Sequence, residues 1–156
     1  MAREGLSRGD WLLLAAILSA AGAAVSALLT WQWYTGQASG VCDVSPFWNC
    51  TIVRNSTWSS FAGIPTATAG LAGFVILLGL SVAALRGIDR LGPWSTDAWL
   101  LAFAVLGALI GLGLSLIEVF VISAVCIFCA TGFALDLGVL GVAVVLRRQS
   151  RRSEAA

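Results

Sequence analysis

Four apolar stretches alternate with short polar links along the chain. They extend over about residues 11–33, 66–85, 98–120 and 126–146. A helix that crosses a bilayer needs roughly 20 predominantly apolar residues, and each stretch is near that length. The pattern therefore predicts an all-α integral membrane protein. We expect a bundle of four transmembrane helices that forms a single domain over residues 1–156.

The longest link, residues 34–65, carries many aromatic side chains and only two charges, Asp43 and Arg54. Such a segment is expected to lie on the bundle rather than extend into water. Ser45 followed by Pro46 is typical of a helix start, with serine as the cap and proline at the first helical position. The sequence thus predicts a helical extracytoplasmic lid loop whose helix runs from Pro46 to about Arg54.

Composition agrees with a lipid environment. Hydrophobic residues make up 59% of the chain and charged residues 11%, and the mean hydropathy is +0.93. Soluble domains carry about 25% charged residues. A net charge of +1 gives no reason to expect nucleic acid as a partner. The chain has no histidine, the usual neutral-pH general base and a common metal ligand.

The distribution of arginine predicts the orientation. Eight of the nine arginines lie before the first stretch, between the second and third, or after the fourth: Arg3, Arg8, Arg86, Arg90, Arg147, Arg148, Arg151 and Arg152. By the positive-inside rule these regions are cytoplasmic. Both termini are then expected on the cytoplasmic side of the membrane, with the lid outside. The first stretch is too long for the apolar region of a cleaved signal peptide, so we expect it to remain as a span.

Four cysteines carry the candidate chemistry. Cys126 and Cys129 form a Cys-x-x-Cys at the start of the fourth span. Two helical residues three apart share a face, and a helix N-terminus favours the thiolate. Buried core cysteines are the competing interpretation. A redox-active pair is favoured because the predicted topology places every cysteine outside, where disulfides persist.

The lid pair, Cys42 and Cys50, has two interpretations that the residues alone do not separate. The pair is either a structural disulfide or a shuttle that passes electrons inward. The resting disulfide also stays open among Cys42–Cys50, Cys50–Cys126 and Cys126–Cys129. Structural zinc usually takes two closely spaced pairs, and only one pair is close here, so no metal is expected.

The motifs together resemble the vitamin K epoxide reductase (VKOR) family over about residues 11–146. The resemblance rests on Cys42-Asp43-Val44-Ser45-Pro46-Phe47-Trp48-Asn49-Cys50, Ser56, Phe61-Ala62-Gly63-Ile64-Pro65 and Cys126-Ile127-Phe128-Cys129. It implies a four-helix bundle that holds a quinone (menaquinone, ubiquinone or vitamin K type) beneath the lid. Bacterial members resemble DsbB in role: they oxidise a thioredoxin-like protein and reduce the quinone, so the resemblance implies a bacterial inner or plasma membrane.

The resemblance also implies roles for single residues. Cys42 meets the partner, Cys50 relays to Cys126, and Cys129 is the thiolate that faces the quinone. Ser56 is expected near the quinone, although an isolated serine more often caps a turn. Because the chain ends without a fused thioredoxin-like domain, the expected partner is a separate, DsbA-like thiol protein.

Three further side chains are candidates. Phe133 stands where the vertebrate enzyme has a tyrosine; it can stack on a quinone but donates no hydrogen bond, which favours quinone over epoxide reduction. Asp136 lies inside the fourth span, where an ionisable group is a functional candidate; it serves either a proton path to the quinone or a hydrogen bond between helices. Glu118 either bonds lid backbone or assists proton transfer, and a carboxylate that is simply hydrogen-bonded at the membrane boundary is favoured.

The glycines of the third span, Gly107, Gly111 and Gly113, are expected to permit close helix packing.

The sequence therefore predicts a membrane thiol–quinone oxidoreductase that supports disulfide bond formation. One alternative is an epoxide-reducing enzyme on the same scaffold. Another is a claudin-like four-span structural protein whose outer loop holds one structural disulfide.

Overall fold

The computed structural model describes residues 6–37 and 40–155. Within these residues the helices in chain order are α1 Arg8–Thr35, α2 Cys50–Arg54, α3 Thr66–Leu85, α4 Thr96–Ile117 and α5 Ile127–Ala155. The four long helices are each long and apolar enough to cross a membrane, which confirms the predicted bundle. Arg3 and positions 38–39 of the lid lie outside the described residues.

The first helix shows why these segments begin and end where they do. The Ser7 hydroxyl accepts the backbone N–H of Asp10 at 3.3 Å, and the Asp10 carboxylate accepts the backbone N–H of Ser7 at 2.9 Å. This reciprocal pair satisfies two N–H groups that a helix start otherwise leaves unpaired. The helix ends at Thr35 and is followed by Gly36, whose φ of 67° favours glycine.

Polar side chains tie three helices together at one end of the bundle, which we call the arginine end. The Arg8 guanidinium donates to both carboxylate oxygens of Asp97 at 2.9 and 3.0 Å. The Ser150 hydroxyl donates to Asp97 at 2.7 Å, and Arg147 donates to Ser95 at 3.0 Å. Asp97 is only 3% exposed, so its charge is paired as a buried charge requires.

The hydrophobic core fills the bundle interior towards the arginine end. Its buried members come from all four long helices and include Leu12, Leu77, Leu100 and Val139. On the outer faces, large apolar side chains stay exposed, among them Leu13, Val75, Leu109 and Leu137. An apolar exterior of this extent fits lipid rather than water as the surrounding solvent.

The predicted start of the lid helix at Pro46 is wrong, since α2 begins only at Cys50. The backbone just before it is paired with the segment between α4 and α5 instead. The Val125 N–H donates to the Phe47 carbonyl at 2.7 Å, and the Asn49 N–H donates to the Val125 carbonyl at 3.1 Å. Backbone committed to this extended bridge cannot also form helical hydrogen bonds.

The cap predicted for Ser45 is likewise taken by another residue. The Ser45 hydroxyl accepts the Trp48 N–H at 3.1 Å and closes a turn. The Asn49 side chain caps α2 by accepting the Ile52 N–H at 2.9 Å. At the other end of α2, Arg54 donates to the carbonyls of Gln32 and Gln37 near the end of α1. The lid is therefore fastened to the bundle at both ends of a one-turn helix.

Two small antiparallel hairpins complete the links, and the sequence did not predict them. In the lid, β1 Ser60–Phe61 pairs with β2 Ile64–Pro65. Ala62 and Gly63 at the turn have φ angles of 52° and 81°, a region that glycine adopts at little cost. At the arginine end, β3 Arg90–Leu91 pairs with β4 Trp94–Ser95.

Candidate active site: a thiol relay above an apolar cavity

The two lid cysteines are joined in a disulfide with a Cα–Cα distance of 5.6 Å. Of the three pairings that the sequence left open, the structure therefore has Cys42–Cys50. Both residues are buried, with Cys42 1% and Cys50 5% exposed. The predicted entry point for a soluble partner is thus covered in this conformation.

The lid disulfide touches the inner pair through one contact. The Cys50 and Cys126 sulfurs lie 3.0 Å apart, about 1 Å more than a disulfide bond length. The bridge between residues 47–49 and Val125 brings Cys126 to this place. The sulfurs of Cys42, Cys50 and Cys126 lie within 4.8 Å of one another. Zinc binds cysteine as the thiolate. Because Cys42 and Cys50 are joined in the disulfide, these three sulfurs do not offer three thiolates to a metal ion.

Cys126 lies immediately before α5 and acts as its cap. Its sulfur accepts the backbone N–H of Cys129 at 3.3 Å, and its carbonyl accepts the N–H of Ala130 at 3.0 Å. The hydrogen bond from the Cys129 side chain lowers the pKa of the Cys126 thiol, against the opposing effect of burial. When one of the two inner thiols ionises, the negative charge is thereby favoured on the sulfur that contacts the lid disulfide.

A π-helical turn, Glu118–Ile122, extends α4 towards the inner pair. It ends at Ser123, which has a φ of 57°. Glu118 is 6% exposed, and its Oε2 accepts the backbone N–H of Cys126 at 3.3 Å. The carboxylate therefore bonds the start of α5, not the lid backbone suggested by the sequence. Isolated π turns within helices occur frequently at functional sites.

Beneath the sulfurs, a cavity of about 570 Å³ lies between α1, α3, α4 and α5. This volume is within the range of small-molecule sites, roughly 300–1,000 Å³. The predicted site residues Cys129, Ser56, Phe133 and Asp136 all line it, together with Cys50 and Cys126. Cys129 is exposed, whereas Cys126 is buried. Cys126 thus contacts the lid disulfide, and Cys129 is the more exposed sulfur at the cavity.

Glycines of α4 make room for two of the cavity side chains. A Cβ at Gly111 would lie 2.5 Å from the Phe133 ring, and a Cβ at Gly107 would lie 2.7 Å from the Asp136 carboxylate. Both glycines therefore permit the close approach that the sequence predicted. Gly113 does not, because a Cβ there meets no described atom within 4 Å.

Asp136 and Ser56 differ in whether their polar atoms are used. Asp136 is 6% exposed, and its Oδ2 has no hydrogen-bond partner among the described residues. Seven residues from Cys129, it lies about 10 Å further along α5. The Ser56 hydroxyl donates to the Val53 carbonyl at 2.7 Å. Ser56 thus caps a turn while it lines the cavity, and its oxygen remains able to accept.

The sequence did not predict a polar contact between the residues that directly follow the two lid cysteines. Thr51 donates to Asp43 through its hydroxyl at 2.5 Å and through its backbone N–H at 3.1 Å. We call these two bonds the Asp43–Thr51 latch. The bonds from Thr51 lower the pKa of Asp43. A polar residue directly after each lid cysteine, one of them charged, is the signal that points to this contact.

Comparison with known protein families gives a match over most of the chain. Residues 13–144 match the model of the Vitamin K epoxide reductase family. The matched region contains all four cysteines, the lid and the lining of the cavity.

Proposed function

The chain belongs to the vitamin K epoxide reductase family, and from that premise we propose that it is a membrane thiol–quinone oxidoreductase supporting disulfide bond formation. The observation that carries this proposal is the 3.0 Å contact between Cys50 and Cys126. It joins an oxidised lid pair to a free inner pair, and the inner pair opens onto a cavity large enough for a quinone ring.

Electrons enter at the lid. The dithiol of a thioredoxin-like, DsbA-like protein reduces the Cys42–Cys50 disulfide by thiol–disulfide exchange through a mixed disulfide. The released Cys50 thiolate attacks Cys126 in an inner Cys126–Cys129 disulfide, and Cys42 then closes on Cys50. The products are a lid disulfide and two inner thiols, which is the redox state of the structure.

The cavity residues fit a quinone. A bound quinone accepts two electrons and two protons as the inner dithiol is oxidised. Cys129 presents its sulfur to the cavity, and Phe133, seated against Gly111, offers an apolar ring face for stacking. The unpartnered Oδ2 of Asp136 supplies a polar atom at the deeper part of the cavity. The Ser56 oxygen is free to accept a hydrogen bond near the lid.

The proposed orientation places the arginine end in the cytoplasm and the cysteines outside. The helices carry the Arg8–Asp97–Ser150 cluster at one end and the four cysteines at the other. An excess of arginine favours the cytoplasmic side. Dithiol exchange with an extracytoplasmic partner requires this orientation, because disulfides persist in that compartment.

The test uses the purified protein in lipid nanodiscs with a menaquinone analogue and a reduced thioredoxin-like protein. We expect the wild type to oxidise the partner and reduce the quinone. Cys129→Ala removes the sulfur that faces the cavity and abolishes quinone reduction. Thr131→Ala, an exposed position on the same helix, serves as the matched control. Unchanged quinone turnover in Cys129→Ala would overturn the assignment, and a wild type without turnover favours the structural-protein alternative.

A further inference from the structure

Glu118 is a buried carboxyl group beside the inner pair that the electron route leaves without a role. Among the described residues that line the cavity, the ionisable side chains other than cysteine are Arg54, Glu118 and Asp136. Arg54 is a cation held by the carbonyls of Gln32 and Gln37. Asp136 lies about 10 Å from Cys129 along α5. Glu118 is the member of this set that lies beside the inner thiols.

The contacts of Glu118 hold its carboxyl group at the reacting sulfurs. Its Oε2 bonds the backbone N–H of Cys126, and its side chain also interacts with the Cys129 thiol. The π-helical turn supports this placement, since the Glu118 carbonyl accepts the N–H groups of Ser123 and Ala124. The carboxyl group therefore contacts both members of the inner pair from a fixed backbone.

The proposed reaction requires a group of this kind. Oxidation of the inner dithiol releases two protons, one of them from the buried Cys126 thiol. A general base must lie within hydrogen-bond reach of the proton that it takes. The chain has no histidine for this task.

We propose that Glu118 is the proton acceptor of the inner dithiol, an inference that rests on the proposed quinone reduction. The Cys126 and Cys129 S–H bonds break, one S–S bond forms, and two electrons pass to the quinone. The Glu118 carboxylate carries the two protons to the quinone one at a time, so the carboxylate is regenerated in each turnover. Quinol is the only reduced product.

This role predicts effects of opposite sign in one variant. The negative charge of Glu118 opposes negative charge on the neighbouring Cys126 sulfur. Glu118→Gln removes that charge but keeps an oxygen that can accept the Cys126 N–H. The inner thiols should then become reactive at lower pH, while quinone reduction becomes slower. Loss of structure would impair both properties, and a purely electrostatic role would improve both.

The first measurement needs no quinone. In protein with the lid disulfide intact, alkylation of the inner thiols by iodoacetamide is followed by mass spectrometry as a function of pH. We expect the midpoint to shift to lower pH in Glu118→Gln and to stay near the wild-type value in Glu118→Asp. The control is Asp89→Asn, which removes an exposed carboxylate at the arginine end and should shift nothing.

The second measurement is quinone reduction by the same variants at neutral pH. General acid–base groups typically contribute about 10²-fold or more, so we expect Glu118→Gln to be slower by at least about 10²-fold and Glu118→Asp to recover part of the rate. A wild-type rate in Glu118→Gln overturns this role and leaves the proposed function standing. Parallel loss of alkylation and quinone reduction also overturns it, whereas a wild type without turnover refutes the proposed function itself.

Discussion

The lid pair and the inner pair each consist of two cysteines, but they differ in oxidation state and in exposure. Cys42 and Cys50 form a disulfide that is almost fully buried, and the Asp43–Thr51 latch joins the residues that directly follow them. Cys126 and Cys129 are free thiols, of which Cys126 is buried against the lid and Cys129 is exposed at the cavity. One pair is closed to its proposed partner, whereas the other is open to its proposed acceptor.

This difference is consistent with the proposed electron route from the lid pair through the inner pair to a quinone. Cys129 is exposed at the cavity, whereas Cys42 is only 1% exposed, so the proposed partner protein reaches Cys42 only if the lid segment moves. The Cys50–Cys126 contact is buried between them. An exposed relay would exchange with any thiol in its compartment, because exchange rates depend on access as well as on thiolate content.

The largest expected effect separates the two pairs by mutation. Cys50→Ala removes the sulfur that links them, so oxidation of the thioredoxin-like partner should be lost completely. Labelling of Cys129 by N-ethylmaleimide should persist, since Cys129 is exposed and Cys50 is only one of many residues that line the cavity. Both are measured on the same preparation, by partner thiol titration and by mass spectrometry. Continued partner oxidation would mean that electrons bypass Cys50.

An intermediate effect is expected where the cavity is shaped by glycine. Gly111→Ala places a methyl group 2.5 Å from the Phe133 ring. Overpacking of this kind costs about 1–3 kcal/mol, and displacement of the ring should also raise KM for the quinone. Thermal unfolding and quinone titration measure the two effects.

The matched control is Gly113→Ala on the same helix, where the new methyl group meets no described atom within 4 Å. It should leave KM unchanged and add up to about 1 kcal/mol of helix stability. Equal stability and equal KM in the two variants would show that the position of the Phe133 ring does not depend on Gly111.

The smallest expected effect concerns the Asp43–Thr51 latch, which joins the residues next to the two lid cysteines. Hydrogen bonds from Thr51 lower the pKa of Asp43 from 3.8. The latch therefore contributes above this ordinary value and is lost as pH falls through the lowered one. As pH falls through the lowered value, the rate at which a phosphine reduces the Cys42–Cys50 disulfide should rise in the wild type. The ratio of this rate to that of Asp43→Asn, measured at the same pH, should therefore increase. Thr51→Val should be faster already at neutral pH. Identical pH profiles in the wild type and Asp43→Asn would contradict the latch.

The parts of the fold that depend on local sequence could be predicted. The apolar run of the second span predicted both ends of α3, Thr66–Leu85, because length and hydropathy suffice to identify a span. The lid helix could not be placed in the same way. Its start at Cys50 follows from the bridge to Val125, a contact between distant parts of the chain that no local pattern encodes.

The candidate site, too, could be predicted only where local sequence determines it. Cysteine spacing and order were enough to single out both pairs, the family resemblance singled out Phe133, and the position of an ionisable group inside the fourth span singled out Asp136. The direction of Glu118 was not predictable, since it depends on a π-helical turn and on the N–H of Cys126. The Asp43–Thr51 latch likewise requires the lid to be folded before its two residues meet.

The most direct test of the account is to trap the contact between the pairs. With Cys42→Ser and Cys129→Ser combined, each pair keeps only the sulfur that faces the other, and these two sulfurs lie 3.0 Å apart. Mild oxidation followed by peptide mapping without reduction should then recover residues 50 and 126 in one disulfide-linked peptide pair. Recovery of Cys50 and Cys126 as two free thiols after the same oxidation would contradict the proposed relay.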